Sequence, residues 1–167
     1  MSRDPLRAHL LELLEGRSAH LDFDAAVEAM PHGALGQRPE GMGHSVWELV
    51  EHLRIALWDL VEFSRDPRHV SPEWPRGYWP QSRAPQSTEA WRASLDAYRR
   101  HLEEMKALVR DEDRDLFQAL PWGDGQTLAR EAMLAADHAA YHLGQIVDVR
   151  RLLGVWPPAE DDEEGDA

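Results

Sequence analysis

The hydrophobic positions near the start of the chain predict a helix followed by a second, shorter one. Asp4 and Pro5 match a helix N-cap with proline at the first helical position. The apolar face that follows consists of Leu6, Leu10, Leu13 and Leu14. The first helix should therefore end near Gly16. A short helix is expected over residues 22–30, where apolar residues recur at helical spacing and Pro31 follows.

A stronger start signal lies at Ser45 and Glu48, whose spacing is that of a capping box. A helix is predicted from there to about residue 64. Its wide apolar face consists of Val46, Leu49, Val50, Leu53, Ala56, Leu57, Leu60 and Val61. Trp47 and Trp58 fall outside that face, so a second cover is expected, either a loop or another subunit. Exposed aromatic rings on this helix favour a homodimer.

Two further helices are predicted in the second half of the chain. The first covers residues 88–110, and its bundle-type seam consists of Trp91, Leu95, Tyr98, Leu102, Met105 and Val109. His101 lies beside this seam and is expected to be exposed. After a connection with a tight turn at 123–125, the last helix should begin after Thr127, end near residue 153 and stop at Gly154.

The long connection over residues 65–87 has an unusual composition. It contains five prolines, with Trp74, Tyr78 and Trp79 between them. Long loops in compact domains tend to be lids or binding segments. We interpret this one as an ordered aromatic flap on the bundle, which either caps the core or contacts a substrate.

Composition narrows the function classes. The 167 residues suit one domain over residues 1–158, followed by an acidic tail over 159–167 that is expected to be disordered. Outside the last eight residues, 25 acidic residues stand against 18 basic ones, which argues against binding nucleic acid or an anionic membrane. No signal peptide or membrane span is evident, so a cytoplasmic protein is expected. The bases are 17 Arg and one Lys, from which we infer a GC-rich bacterial genome.

Three histidines are candidate metal ligands. His138 and His142 are one helical turn apart, so both imidazoles project from the same face of the last helix. His52 lies at the edge of the apolar face of the helix after Ser45, and a bundle can bring such positions together. The chain has no cysteine, so any metal must be held by nitrogen or oxygen. The alternative is a buried histidine network without a metal. Glu131 lies on the same stripe as His138, two turns earlier.

Three motifs carry a family resemblance: W-E-L-V-E-H-L-R at 47–54, H-A-A-Y-H-L-G-Q-I at 138–146 and R-R-L-L-G-V-W-P-P at 150–158. With them, residues 4–158 resemble the DinB/YfiT-like superfamily of four-helix-bundle metalloproteins. The resemblance implies an all-α, up-down-down-up bundle, here with the extra short helix and the flap. It also implies a divalent metal on His52, His138 and His142, with zinc expected first and nickel or iron next.

The resemblance further implies a metal-dependent transferase of low-molecular-weight thiols, or a hydrolase, acting on a small molecule. The alternative is a stress-related metal-binding scaffold without enzymatic activity. Many relatives carry a glutamate directly after the first histidine of the pair, but this chain has Ala139. Candidate bases in its place are a hydroxide ligand of the metal, Glu48 or Asp59, and either acid could instead orient His52. We favour structural roles for both acids.

Overall fold

The computed structural model describes residues 4–158, and this part of the chain contains helices and no β-strand. The five α-helices are α1 (Pro5–Glu15), α2 (Phe23–Val27), α3 (Val46–Arg65), α4 (Thr88–Arg110) and α5 (Leu128–Leu152). Short 3₁₀ turns cover His32–Ala34 and Arg76–Tyr78. The predicted all-α fold with four main helices and one short helix is confirmed. The acidic tail lies outside the described residues.

The four long helices form a bundle in which α3 packs between α4 and α5, and α1 packs on the other side of the same two helices. Helices α3 and α4 run in parallel, since Glu51 meets Ser94 near their starts and Arg65 meets Glu104 further along both. Helix α5 runs antiparallel to α3, since His52 meets His138 within α5, whereas Phe63 near the end of α3 meets Trp122, which precedes α5. The start of α1 bonds to the end of α4, where Arg7 donates to the carbonyl of Val109. These directions give the up-down-down-up order.

Local signals explain where the long helices begin. The Asp4 carboxylate accepts from the N–H of Leu6, and the Ser45 hydroxyl accepts from Glu48 N–H while Glu48 accepts from Ser45 N–H. This second pair is the predicted capping box. Thr127 accepts from Arg130 N–H in the same way at the start of α5. The three caps were readable in the sequence because each needs only residues within one turn.

The short helix α2 ends earlier than expected, at Val27 instead of residue 30. Beyond it, the guanidinium of the buried Arg150 donates to the carbonyls of Ala26 and Glu28. Carbonyls near a helix end need such partners. Arg150 of α5 therefore provides hydrogen bonds to backbone carbonyls at the end of α2, in place of those that a longer helix would supply.

His101 is buried, at 8% exposure, which corrects the expectation that it would be exposed. Its Nδ1 lies 3.0 Å from a Glu104 carboxylate oxygen. Together with Trp58 it lines a groove that Pro72 and Gly77 of the flap also border. A prediction from α4 alone could not include these neighbours, because α3 and the flap come from other parts of the sequence.

The flap over residues 66–87 is tied to the bundle by side-chain hydrogen bonds. The Tyr78 hydroxyl donates to Asp59 at 2.5 Å, and the Ser45 hydroxyl donates to the carbonyl of Arg83 at 2.6 Å. Trp79 packs against the core, whereas Trp74 is exposed. The interpretation of this segment as an ordered aromatic flap is confirmed.

The tryptophans of α3 find their second cover within the chain. Trp47 is buried and lies 6.4 Å from Trp91, measured between ring centroids. Trp58 lies edge-on to His69 of the flap, with ring centroids 5.1 Å apart. Of the two covers considered, a loop and another subunit, intrachain segments account for these rings. The homodimer stays a prediction, and these two tryptophan rings no longer support it.

A tight turn lies between α4 and α5. Leu120 N–H donates to the carbonyl of Gln126 at 2.8 Å, and Ala119 bridges Thr127, so the predicted tight turn is present. No helix within residues 4–158 combines the length and apolar character needed to cross a membrane.

Candidate metal centre

His52 projects from the middle of α3 and is held by the flap on two sides. Its Nδ1 lies 2.8 Å from the carbonyl oxygen of Tyr78. A carbonyl oxygen only accepts, so Nδ1 carries the proton and Nε2 keeps its lone pair. The ring also stacks on Trp79, with centroids 4.0 Å apart and planes within 2°. The flap thus fixes both the tautomer and the plane of His52.

His138 and His142 project from α5 on the side that faces α3. His142 is buried, and its Nδ1 lies 2.6 Å from the amide oxygen of Gln145. With Nδ1 donating to that oxygen, Nε2 of His142 is also left with its lone pair. His138 is half-buried. The spacing of three residues between His142 and Gln145 places the partner on the same face of the helix.

The structure brings the three predicted histidines together. One ligand nitrogen from each of His52, His138 and His142 lies within 4.8 Å of the other two. The Nε2 atoms of His52 and His138 are 3.0 Å apart. Two nitrogens bound to one tetrahedral zinc ion at about 2.0–2.1 Å each would stand about 3.3 Å apart. The cluster is therefore compatible with one metal ion, and imidazole donors suit zinc, nickel and iron alike.

The electrostatic environment keeps the cluster neutral. Burial lowers the pKa of His52 to about 4, against a raising effect of its bond to the Tyr78 carbonyl. Burial and the neighbouring His142 and His52 lower the pKa of His138 to about 4. The pKa of His142 is also lowered, mainly by burial. Neutral imidazoles at pH 7 are the form that binds metal.

Two residues near the cluster were not singled out in the sequence as part of a metal site. Trp79 stacks on His52 and also on His44, whose ring centroid is 3.9 Å away. His44 comes directly before the N-cap of α3, and its buried Nδ1 finds no hydrogen-bond partner within residues 4–158. Its positive charge, when present, would oppose protonation of His52 and His142. The only sequence signal for these two residues was their aromatic type in otherwise irregular segments.

Glu48 lies outside the cluster and has a structural role. Its carboxylate accepts from the N–H of Ser45 at 2.8 Å and from Arg38 Nε at 2.8 Å. These bonds, foremost the one to Arg38, lower its pKa against the effect of burial. These contacts are those of the structural role favoured for this acid, the capping box of α3 together with an ion pair.

Asp59 is buried and makes no direct bond to His52. It accepts from the Tyr78 hydroxyl at 2.5 Å, and its other oxygen lies 2.7 Å from Nε2 of His69. Since the Tyr78 carbonyl bonds to His52, Asp59 fixes the residue that orients this histidine. Asp59 therefore reaches His52 only indirectly, through Tyr78 of the flap.

A cavity of about 370 Å³ opens beside the cluster. His52 and His138 line one end, and Asp59, Tyr78, Arg130 and Glu131 contribute polar groups. Its apolar wall consists of Ala56, Leu60, Phe63, Trp74 and Leu134. This size is within the range of small-molecule sites, about 300–1,000 Å³. A second cavity of about 420 Å³ lies between α1, α4 and α5 and touches none of the three histidines.

Ala139 faces away from this cavity. It borders a narrow internal gap together with Leu57, Tyr98 and Ala135, on the side where α4 packs. Ala139 also lines the second cavity, which charged residues such as Arg99 and Lys106 border.

The sequence model of the DinB superfamily matches residues 6–146 of this chain. The match covers α1 to α4, most of α5 and all three clustered histidines. No curated protein and no solved structure matches the chain significantly.

Proposed function

The chain belongs to the DinB superfamily, and we propose that it binds one divalent metal ion through His52, His138 and His142. The observation that carries this proposal is the pairing of Nδ1 of His52 and His142 with oxygen acceptors. Both rings are left with Nε2 free to bind, and a metal-binding histidine commonly donates its other N–H to such a partner. Zinc is the first candidate, with nickel and iron next.

We propose further that the protein is a metal-dependent enzyme, a transferase of low-molecular-weight thiols or a hydrolase. Three histidines leave a fourth position for an exchangeable ligand, and a divalent ion there lowers the pKa of a bound thiol or water. The cavity beside His52 and His138 offers room for a small substrate with an apolar body. Trp74 and Phe63 would contact that body, and the Arg130 guanidinium would supply hydrogen-bond donors.

The test compares metal-loaded and metal-free protein on a panel of thiols with electrophiles, and of esters and epoxides. We expect turnover that requires the metal, that is lost in His138→Ala and that persists in His20→Ala. His20 is an exposed histidine outside the cluster and serves as the matched control. Metal binding without turnover of any of these substrates would contradict the enzymatic proposal.

A scaffold role is the alternative, because the three histidines come from only two helices and an ion between them would join α3 to α5. In that case chelation should unfold the domain, and the loaded protein should be inert on the whole panel. Thermal unfolding with and without a chelator, measured beside the activity panel, separates the two functions.

A further inference from the structure

Glu131 is a buried carboxylate that the metal site does not use as a ligand. Its exposure is 1%, and it lies on α5 two turns before His138. Its neighbour in the sequence, Arg130, is its ion-pair partner, with 2.7 Å between Nη1 of Arg130 and Oε1 of Glu131. The Arg130 side chain is 54% exposed, so this partner is accessible to water while the carboxylate is not.

The position of Glu131 connects it to the histidine cluster through the cavity. Glu131, His138 and His52 all line the same space of about 370 Å³. Glu131 follows Thr127 by four residues, so it does not occupy the capping-box position three residues after the N-cap. Helix capping therefore does not account for a carboxylate buried at this place.

We propose that Glu131 is the proton-exchanging residue of the thiol reaction, acting in the cavity beside His52 and His138. This inference rests on the proposed function and deepens it. Ala139 cannot exchange protons, Glu48 is bound to Arg38 and Ser45, and Asp59 is occupied by Tyr78 and His69. Among residues 4–158, Glu131 has Arg130 as its one side-chain partner, whereas Asp59, the other acid of this cavity, has two.

The step balances without an oxidant or a reductant. The S–H bond of the thiol breaks, its proton forms an O–H bond on Glu131, and the electron pair stays on sulfur. That pair forms the bond to an electrophilic carbon of the substrate, and the bond from this carbon to the leaving group breaks. Glu131 then returns the proton to the leaving group and is a carboxylate again.

The charged and titratable groups around Glu131 set its proton affinity. Burial raises its pKa, Arg130 lowers it, and the negative charge of Asp59 on α3 raises it. The other titratable groups on the cavity are His52 of α3, Tyr78 of the flap and His138 of α5. An acid whose pKa is raised toward the working pH is suited to both accepting and returning a proton.

The experiment counts the protons that the full-length, zinc-loaded protein releases when it binds 2-mercaptoethanol. Calorimetric titrations in buffers of different ionisation heat give this number between about pH 5 and pH 8, a range above the ordinary glutamate pKa of about 4.3. We expect the wild type to release fewer protons than Glu131→Gln over part of this range. In Arg130→Met that part should extend to higher pH, because the guanidinium no longer lowers the pKa of Glu131.

The matched control is Asp148→Asn, which removes an exposed acid paired with Arg151 on the same helix. Its proton count should equal that of the wild type, and thermal unfolding checks that every variant is folded. Alkylation of the thiol by monobromobimane, in which bromide leaves and Glu131 passes its proton to water, gives a second readout once the rate without protein is subtracted; the chain itself has no cysteine to be labelled. Its rate should fall by about 100-fold or more in Glu131→Gln.

Equal proton counts in the wild type and Glu131→Gln would overturn the role of Glu131 while leaving the thiol site standing. If no zinc-loaded variant binds the thiol, the thiol reaction itself fails and the role of Glu131 in it fails too. The two failures are thus distinguished within one titration series.

Discussion

Replacing Gln145 by Met tests how much the orientation of one histidine contributes to metal binding. The amide oxygen of Gln145 accepts from Nδ1 of His142 at 2.6 Å, and methionine removes this acceptor at similar length. His142 keeps its place on α5 and remains able to bind metal. The change therefore removes a supporting contact and leaves all three nitrogens present.

The expected size of the effect follows from the role of the bond. Loss of such a partner typically lowers metal affinity by about 10–100-fold, or about 1.4–2.7 kcal/mol. Gln145 is half-buried, so water can replace part of its bond, and we expect the lower half of that range. The Gln145 bond also raises the pKa of His142 against the effect of burial. Its loss therefore eases deprotonation, and proton competition cannot explain a weaker affinity.

The assay is competition for zinc against a chromophoric chelator at several pH values near neutral. Gln118→Met, on an exposed loop residue, is the control and should match the wild type. Zinc affinity of Gln145→Met equal to that of the control would refute the claim that this hydrogen bond prepares His142 for the metal. A loss that grows steeply toward low pH would refute the argument about proton competition.

Two further predictions concern pH and the flap. Folding lowers the pKa of His52 and His138 from about 6.5 to about 4, so between these pH values the unfolded chain binds more protons than the folded chain. Metal-free protein should therefore lose stability as the pH falls from about 6.5 toward 4. Urea unfolding at pH 7 and pH 5 measures this loss, and a urea midpoint that is no lower at pH 5 contradicts it. Tyr78→Phe removes a hydrogen bond to the buried Asp59. It should lower the free energy of unfolding by about 1.5–3 kcal/mol and weaken zinc binding, whereas Tyr141→Phe, on an exposed ring, should do neither. Equal urea midpoints for the two variants would count against the flap as a support of His52.

Much of the fold could be predicted because its signals are local. The capping box at Ser45 and the cap at Thr127 fixed the starts of α3 and α5 to within one residue. The pair at His138 and His142 needed only helical periodicity to share a face. Which histidine of another helix would meet them came from the family resemblance together with the edge position of His52.

The supports of the site were not predictable in the same way. The bond between His52 and Tyr78 joins residues 26 positions apart through a loop without periodicity. A proline-rich segment has no helical or strand periodicity, so the side on which the side chains of Tyr78 and Trp79 lie could not be predicted. The burial of His101 was not predicted either, because the α3 and flap residues that border the groove beside it have no pattern relating them to α4.

The metal content of the purified protein, with and without His138, tests the central claim most directly. After loading with excess zinc and removal of unbound ion, we expect one zinc per chain in the wild type and in His20→Ala, and none retained in His138→Ala. A wild type that retains no metal, or a His138→Ala variant that retains as much as the wild type, would contradict the three-histidine site.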